Sequence, residues 1–255
     1  MYLTWLDNNS WLIEIAEQRI LLDPWLVGTL VFGNMPWLFK GSHLSPRPIP
    51  DSIDLILLSQ GLEDHAHPPT LQQLDRSIPV VASPNAAKVA QGLGYTQVTT
   101  LSHTESYVFA DRVKIQATPG SPIGPFLVEN GYLLTDLSTD TKLYYEPHGF
   151  HSPELKAAAP VDVIITPLIN LDIPLLGSVI QGKKTALQVI QWLQPQVILP
   201  TAAGGDVAFD GLLTAVLREN GSIKELQQVL TEHQLSTQIK TPRPGDRFEP
   251  IATAT

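Results

Sequence analysis

Short apolar runs broken by turn residues open the chain, and their spacing predicts an antiparallel meander. Leu3 to Trp5, Trp11 to Ile15 and Arg19 to Leu22 are separated by Asn8-Asn9-Ser10 and Glu17-Gln18. Asp23-Pro24 ends the meander. Trp25 to Pro50 mixes several Pro and Gly with Trp25, Phe32, Trp37 and Phe39, and reads as one long loop of the functional kind. Asp54 to Ser59 is a continuous apolar run, the pattern of a strand buried on both faces. Pro68 and Pro69 stand where a first helical turn tolerates proline, which predicts a helix over Thr70 to Leu74. Strands at Ile78 to Ala82 and Gln97 to Leu101 flank a helix from Asn85 to Leu93.

A second series of short strands follows at Tyr107 to Phe109, Val113 to Ala117, Phe126 to Glu129, Gly131 to Thr135 and Lys142 to Tyr145. After it come a short helix at Leu155 to Ala159, a buried strand at Val161 to Ile165, an amphipathic helix at Thr185 to Leu193 and a strand at Val197 to Leu199. Two helices separated by Asn220-Gly221 lead to a closing strand near Thr237 to Lys240. The order is meander, βα units, meander, βα units. It predicts one α/β domain over residues 1–255, a sandwich built from two similar halves.

Composition narrows the function classes. A chain of 255 residues with 43% hydrophobic content can bury a substantial core. The net charge of −9, with no basic cluster, argues against a nucleic-acid or anionic-membrane partner. Absence of cysteine removes thiolate metal sites and cysteine nucleophiles, so any metal is held by His and carboxylate. The N-terminus lacks the basic and apolar regions of a secretory signal, and no apolar stretch reaches the roughly 18 residues that cross a bilayer. These features predict a soluble, cytoplasmic protein whose partner is a small molecule or a protein, with a homo-oligomer compatible.

The candidate chemistry centres on Leu58-Ser59-Gln60-Gly61-Leu62-Glu63-Asp64-His65-Ala66-His67-Pro68, directly after a buried strand. Further landmarks are Ile20-Leu21-Leu22-Asp23-Pro24-Trp25-Leu26, Thr118-Pro119-Gly120, Leu143-Tyr144-Tyr145, Val161 to Pro167 and Val197-Ile198-Leu199-Pro200. In this order and spacing the chain resembles the metallo-β-lactamase superfamily over nearly its whole length. The resemblance implies a four-layer αββα sandwich with a metal site where loops converge.

The family's loop reads H-x-H-x-D-H. Its first two His correspond to Gln60 and Leu62 here, and its last two residues to Asp64 and His65. The third His of the first metal position corresponds to Ser121, and the last His of the second corresponds to Ala202. The bridging carboxylate falls at Glu146, two residues early, or at His148 in register. The resemblance therefore implies either one rebuilt metal or none. In the first case Asp64, His65 and Glu146 or His148 hold one zinc, iron or manganese ion, with His67 or His151 as a further ligand. Asp64 belongs to the catalytic set, and Glu63 or Glu146 manages protons. The product is a hydrolase for a small apolar ester, lactone, amide or thioester. In the second case the fold persists as a non-catalytic ligand-binding or scaffold protein. A metal-free hydrolase using Asp64 and His65 as a general base pair is a third reading.

Each residue also has a plainer explanation. Asp64 and His65 can simply bond loop backbone. His67 can be an exposed helix-entry residue, while His148 and His151 can be solvated turn residues. Surface positions are the default for His43, His103 and His233. Gly120-Ser121-Pro122 lacks the context of a nucleophile elbow, and Gly204-Gly205-Asp206 reads as a turn rather than an anion cradle. Trp25 to Phe39 and Leu168 to Leu176 border the family's cleft, and would wall a pocket for an apolar or amphipathic ligand, cover a sheet edge or form a dimer contact.

Overall fold

Two seven-stranded mixed sheets carry the chain's regular structure, and each joins an antiparallel meander to parallel strands. The computed structural model describes residues 1–123, 127–174, 177–202 and 204–251. The chain divides into two compact units. The first contains Met1–Ser102, Ala203–Ala215 and Arg243–Glu249; the second contains His103–Ala202, Val216–Pro242 and Pro250–Thr255.

In the first unit, Tyr2–Trp5, Trp11–Ile15 and Gln18–Leu22 pair antiparallel, and Arg247–Phe248 adds an outer strand beside Tyr2–Trp5. Asp7 (φ 80) and Asn8 (φ 46) make the first turn in the left-handed region, which short polar side chains tolerate. Leu55–Leu58, Val80–Ala82 and Val98–Thr100 then extend the sheet in parallel from Gln18–Leu22. All four residues of Leu55–Leu58 are buried, as a strand covered on both faces requires. Helices Pro68–Gln73 and Pro84–Gly92 pack through Leu71, Ala86, Ala87 and Ala90 onto Leu21, Ile56 and Val80. The first helix starts at Pro68, earlier than predicted, because both prolines lie inside its first turn.

The second unit repeats this logic. Ser106–Phe109, Val113–Ile123, Leu127–Asp136 and Lys142–Tyr145 form an antiparallel meander. Val163–Ile165, Val197–Leu199 and Gln238–Ile239 continue it in parallel. Helices Thr185–Leu193 and Ile223–Glu232 and the 3-10 helix Pro153–Ala158 cover one face through Val189, Ile190, Leu193, Leu226 and Leu155. The two strands expected on either side of Asn130 are one strand, because Asn130 stays in register opposite Pro119. Phe126 lies outside the described residues.

Two three-stranded sheets were not foreseen. Leu30–Val31, Lys40–His43 and Val207–Asp210 turn part of the expected long loop into strand. Asn170–Ile173, Gly177–Ile180 and Arg218–Asn220 form the other, so the first of the two helices expected around Asn220-Gly221 is replaced in part by strand. Their pairing is non-local, and their segments lack clean alternation. Among the described residues no helix is long and apolar enough to cross a membrane.

Leu71 is fully buried where the helix meets the sheet. Leu71→Ala is expected to lower stability by about 2–5 kcal/mol in urea unfolding, with a loss under about 1 kcal/mol contradicting its place in the core.

Candidate functional site

In the first unit the site is built on Asp23, which ends strand Gln18–Leu22 in a left-handed conformation (φ 42) and is fully buried. Its Oδ1 accepts the Ser59 backbone N–H at 2.7 Å, and its Oδ2 accepts the Ser59 hydroxyl. The same Oδ2 lies 2.7 Å from His65 Nδ1. One carboxylate thus ties the end of one strand to the residue after the next and to the loop beyond. The loop turns back on Leu62, whose carbonyl accepts from the His65 and Ala66 N–H groups at 3.0 and 2.8 Å.

His65 is fully buried, and its second nitrogen is held as closely as its first. Nε2 lies 3.1 Å from Asp64 Oδ2 and 3.3 Å from Asn9 Nδ2. Burial disfavours the charged ring, but the charges of Asp64 and Asp23 outweigh it and hold His65 well above its ordinary value. The ring is therefore aligned between two carboxylates, the arrangement that orients metal-binding imidazoles.

Other residues of the loop have different fates. Gln60, at a predicted imidazole position, is buried, whereas Leu62 is 40% exposed. Glu63 accepts the Gly33 N–H at 3.1 Å. His67 corrects the expectation of an exposed helix-entry ring: it is 2% exposed. Its Nδ1 contacts Thr70 Oγ1 at 3.0 Å and its Nε2 contacts the Thr29 carbonyl at 3.3 Å, so both nitrogens are engaged. Burial holds its pKa below the ordinary value. His43 is also not a surface residue; its ring packs on Trp25 at 4.4 Å and reaches the Trp25 carbonyl at 3.1 Å.

The second unit carries a cluster around Glu146. Glu146 follows strand Lys142–Tyr145 and is fully buried. Its Oε2 accepts backbone N–H groups of His148 at 3.2 Å, of Phe150 at 2.9 Å and of Gly149. Gly149 takes φ +81 there, and a Cβ would collide with the Gln181 carbonyl. Glu129, on Leu127–Asp136 and also fully buried, places Oε1 2.7 Å from His148 Nδ1 and accepts the Ser121 N–H at 3.2 Å. Burial first, then the charge of Glu129, pushes the Glu146 carboxyl well above its usual range. His148 is thus partly buried and paired, not a solvated turn residue.

His151 is buried too, with Nδ1 3.2 Å from the Tyr144 hydroxyl. Burial alone lowers its pKa to about 3, so the ring is neutral. Ser121, at the third imidazole position, is buried, and Ala202 takes φ 55. His103 reaches the Glu129 carbonyl at 3.1 Å, and His233 is the exposed residue that ends helix Ile223–Glu232.

The structure thus brings Asp64 to His65 in the first unit and Glu146 to His148 in the second. The sequence reading missed Asp23, Ser59 and Glu129 as site residues. An acidic residue closing a wholly apolar strand, as Asp23 does, was the available signal, since a buried charge needs a partner.

The aromatic segment divides. Trp25 is fully buried, while Trp37 is 62% exposed; Phe32, Phe39 and Phe209 pack in series with ring separations of 5.2 and 5.4 Å. Asn170–Ile173 supplies sheet edge in the second apolar segment, whose Leu175 and Leu176 lie outside the described residues. A cavity of about 360 Å³ in the second unit is lined by Lys114, Gln116, Thr118, Thr135 and Lys142 among others, and by none of the predicted site residues.

The family described as "Beta-lactamase superfamily domain" matches residues 2–202 of the chain. No curated protein matches it in sequence. A possible metal-dependent hydrolase from Veillonella parvula DSM 2008 is similar in structure, with TM-score 0.74, 15% identity, and 97% of this chain and 98% of that one covered. An isothiocyanate hydrolase from Delia radicum gut bacteria gives TM-score 0.69 at 16% identity, covering 99% and 100%. A metallo hydrolase from Ignicoccus hospitalis gives TM-score 0.67 at 15% identity, covering 97% and 98%. At such identities the likeness is one of fold.

The neutral, buried His151 makes a pH prediction. Between about pH 6.5 and its folded value near 3, only the unfolded chain binds this proton, so stability falls as pH drops through that window. The slope approaches about 1.4 kcal/mol per pH unit. His151→Gln is expected to flatten the loss between pH 7 and pH 5 by about 2 kcal/mol in urea unfolding. An unchanged difference contradicts it.

Proposed function

The chain belongs to the metallo-β-lactamase superfamily, and from that premise we propose that it is a metal-dependent hydrolase of a small apolar ester, lactone, amide or thioester. The observation that carries this reading is the line Asp23, His65, Asp64, whose first two members are fully buried. Nδ1 of His65 is committed to Asp23, which leaves Nε2 directed at the side where Asp64 Oδ2 converges with it. A carboxylate, an imidazole and a second carboxylate in that order are the support and two donors of a metal centre. The names of two structurally similar proteins, an isothiocyanate hydrolase and a possible metal-dependent hydrolase, favour hydrolysis.

The donor set suits zinc, iron or manganese, because it contains imidazole and carboxylate and no thiolate. A bound ion supplies a Lewis acid and a water of lowered pKa. The chain's own residues do the rest. Asp23 fixes the orientation of the His65 ring, and complete burial of both keeps water from competing for Nδ1. Asp64, whose side chain is 16% exposed, is the more accessible carboxylate of the pair. The exposed aromatic surface around Trp37 supplies area for an apolar ligand.

A second reading, a ligand-binding protein without metal, draws on Gln60, Leu62, Ser121 and Ala202 standing where imidazoles are expected. The two differ in one experiment. Protein from medium supplemented with zinc, iron and manganese is expected to retain metal by elemental analysis and to turn over a panel of apolar esters, lactones and thioesters. Asp64→Asn is expected to remove about one ion per chain and lower kcat/KM at least about 100-fold. Absence of metal, or turnover untouched by chelator and by Asp64→Asn, contradicts the hydrolase reading. A chelator-insensitive thermal shift with an apolar ligand would then support the binding protein.

A further inference from the structure

The helices of the second unit cover only part of their sheet. Their apolar side chains reach Leu133 and Tyr144, and among the described residues none from Ser106–Phe109 or Val113–Ile123, the strands at one edge of the sheet, joins that cluster. On this helix-side face, register sets the side chains in rows. Lys114, Thr135 and Lys142 stand opposite one another across three strands, and Gln116 and Leu133 begin the next row. The 3-10 helix Pro153–Ala158 walls the shelf, and the cavity of about 360 Å³ lies between helix and strands, with Leu133 and Leu155 among its lining. That volume is in the range of small-molecule sites.

We propose that this cavity binds a small amphipathic monocarboxylate of the medium-chain fatty-acid class, with the carboxylate over Thr135 between Lys114 and Lys142 and the aliphatic body on Leu133 and Leu155. The two lysines stand two inter-strand spacings apart, roughly 10 Å, so their flexible stems let both ammonium groups converge on one anion above the Thr135 hydroxyl. Lys114 has no carboxylate partner among the described residues. Lys142 has Asp140 at 3.4 Å, an acid 79% exposed, and such a pair is weakened by water and salt. A ligand carboxylate gains charge-assisted hydrogen bonds from both lysines, and Gln116 adds an amide beside them.

The acidic side chains at the same cavity restrict the ligand's charge. Asp140 and Glu154 line it, and both are exposed, so they stand at its solvent side. They balance the lysines and disfavour a second or third negative charge, which excludes polyphosphates. The buried leucines favour a hydrocarbon body over a sugar. None of Asp64, His65, Glu146 and His148 lines the cavity, and all of its lining belongs to the second unit, so the site does not rest on the hydrolase reading.

Isothermal titration calorimetry of the full-length protein with sodium octanoate tests the site. Octanoate is expected to bind with a Kd of about 1 mM or tighter, and 1-octanol, which keeps the chain and lacks the charge, at least about tenfold more weakly. Lys114→Glu is expected to weaken octanoate at least about tenfold with an unchanged melting temperature. Thr135→Phe, an aromatic on a strand, is expected to fill the space between the lysines and abolish binding. A wild type that gives no octanoate heat, equal binding of octanol and octanoate, or wild-type affinity in Lys114→Glu or in a cooperatively melting Thr135→Phe overturns the proposal. Asp64→Asn is expected to bind octanoate as wild type does, whatever it does to turnover. Loss of binding in Asp64→Asn would place octanoate at the hydrolase centre instead and overturn the cavity.

Discussion

A single buried carboxylate, that of Asp23, organises the first unit's candidate site. It bonds the Ser59 backbone, the Ser59 hydroxyl and His65 Nδ1. Those contacts join the ends of neighbouring parallel strands to the loop that follows. Leaving such a charge without its partners costs about 3–5 kcal/mol, so the loop and the strand ends hold one another in place. The orientation of His65 follows from that constraint, and so does the convergence of Nε2 with Asp64. Asp7 plays a comparable part nearby in the same unit. Its carboxylate receives Arg47 and the Asp206 N–H at 2.8 Å, while its backbone makes the first turn of the meander.

The second unit solves the same problem of buried charge differently. Glu146 is neutralised in part by three backbone N–H groups and Glu129 by one N–H and His148. Both solutions place a histidine against one of the carboxylates, His65 against Asp23 and His148 against Glu129.

How far the sequence reveals this depends on the range of the interactions. Leu55–Leu58, Thr185–Leu193 and Val197–Leu199 were legible because local pattern sets them: short apolar runs between turn signals, or an amphipathic period. The two-fold recurrence of meander and βα strands was legible for the same reason. Strands Lys40–His43 and Val207–Asp210 were not, since each gains its hydrogen bonds only from a distant partner. In the site, Asp64 and His65 stood out because they fill the last two positions of a spaced motif, and Glu146 and His148 because they fall at or near its bridging position. Asp23 and Glu129 did not, because each meets its partners only through sheet register. Burial of His67 was hidden likewise: its ring is enclosed through Thr29 as well as its own helix.

The central claim is that His65, oriented by Asp23, presents Nε2 together with Asp64 to a metal ion. The direct measurement is an anomalous difference map from crystals grown with zinc or manganese, recorded at the metal's absorption edge. The account predicts a peak about 2.0–2.2 Å from both His65 Nε2 and Asp64 Oδ2. A map without a peak at those two atoms, in crystals whose protein retains the Asp23 to His65 contact, would contradict it.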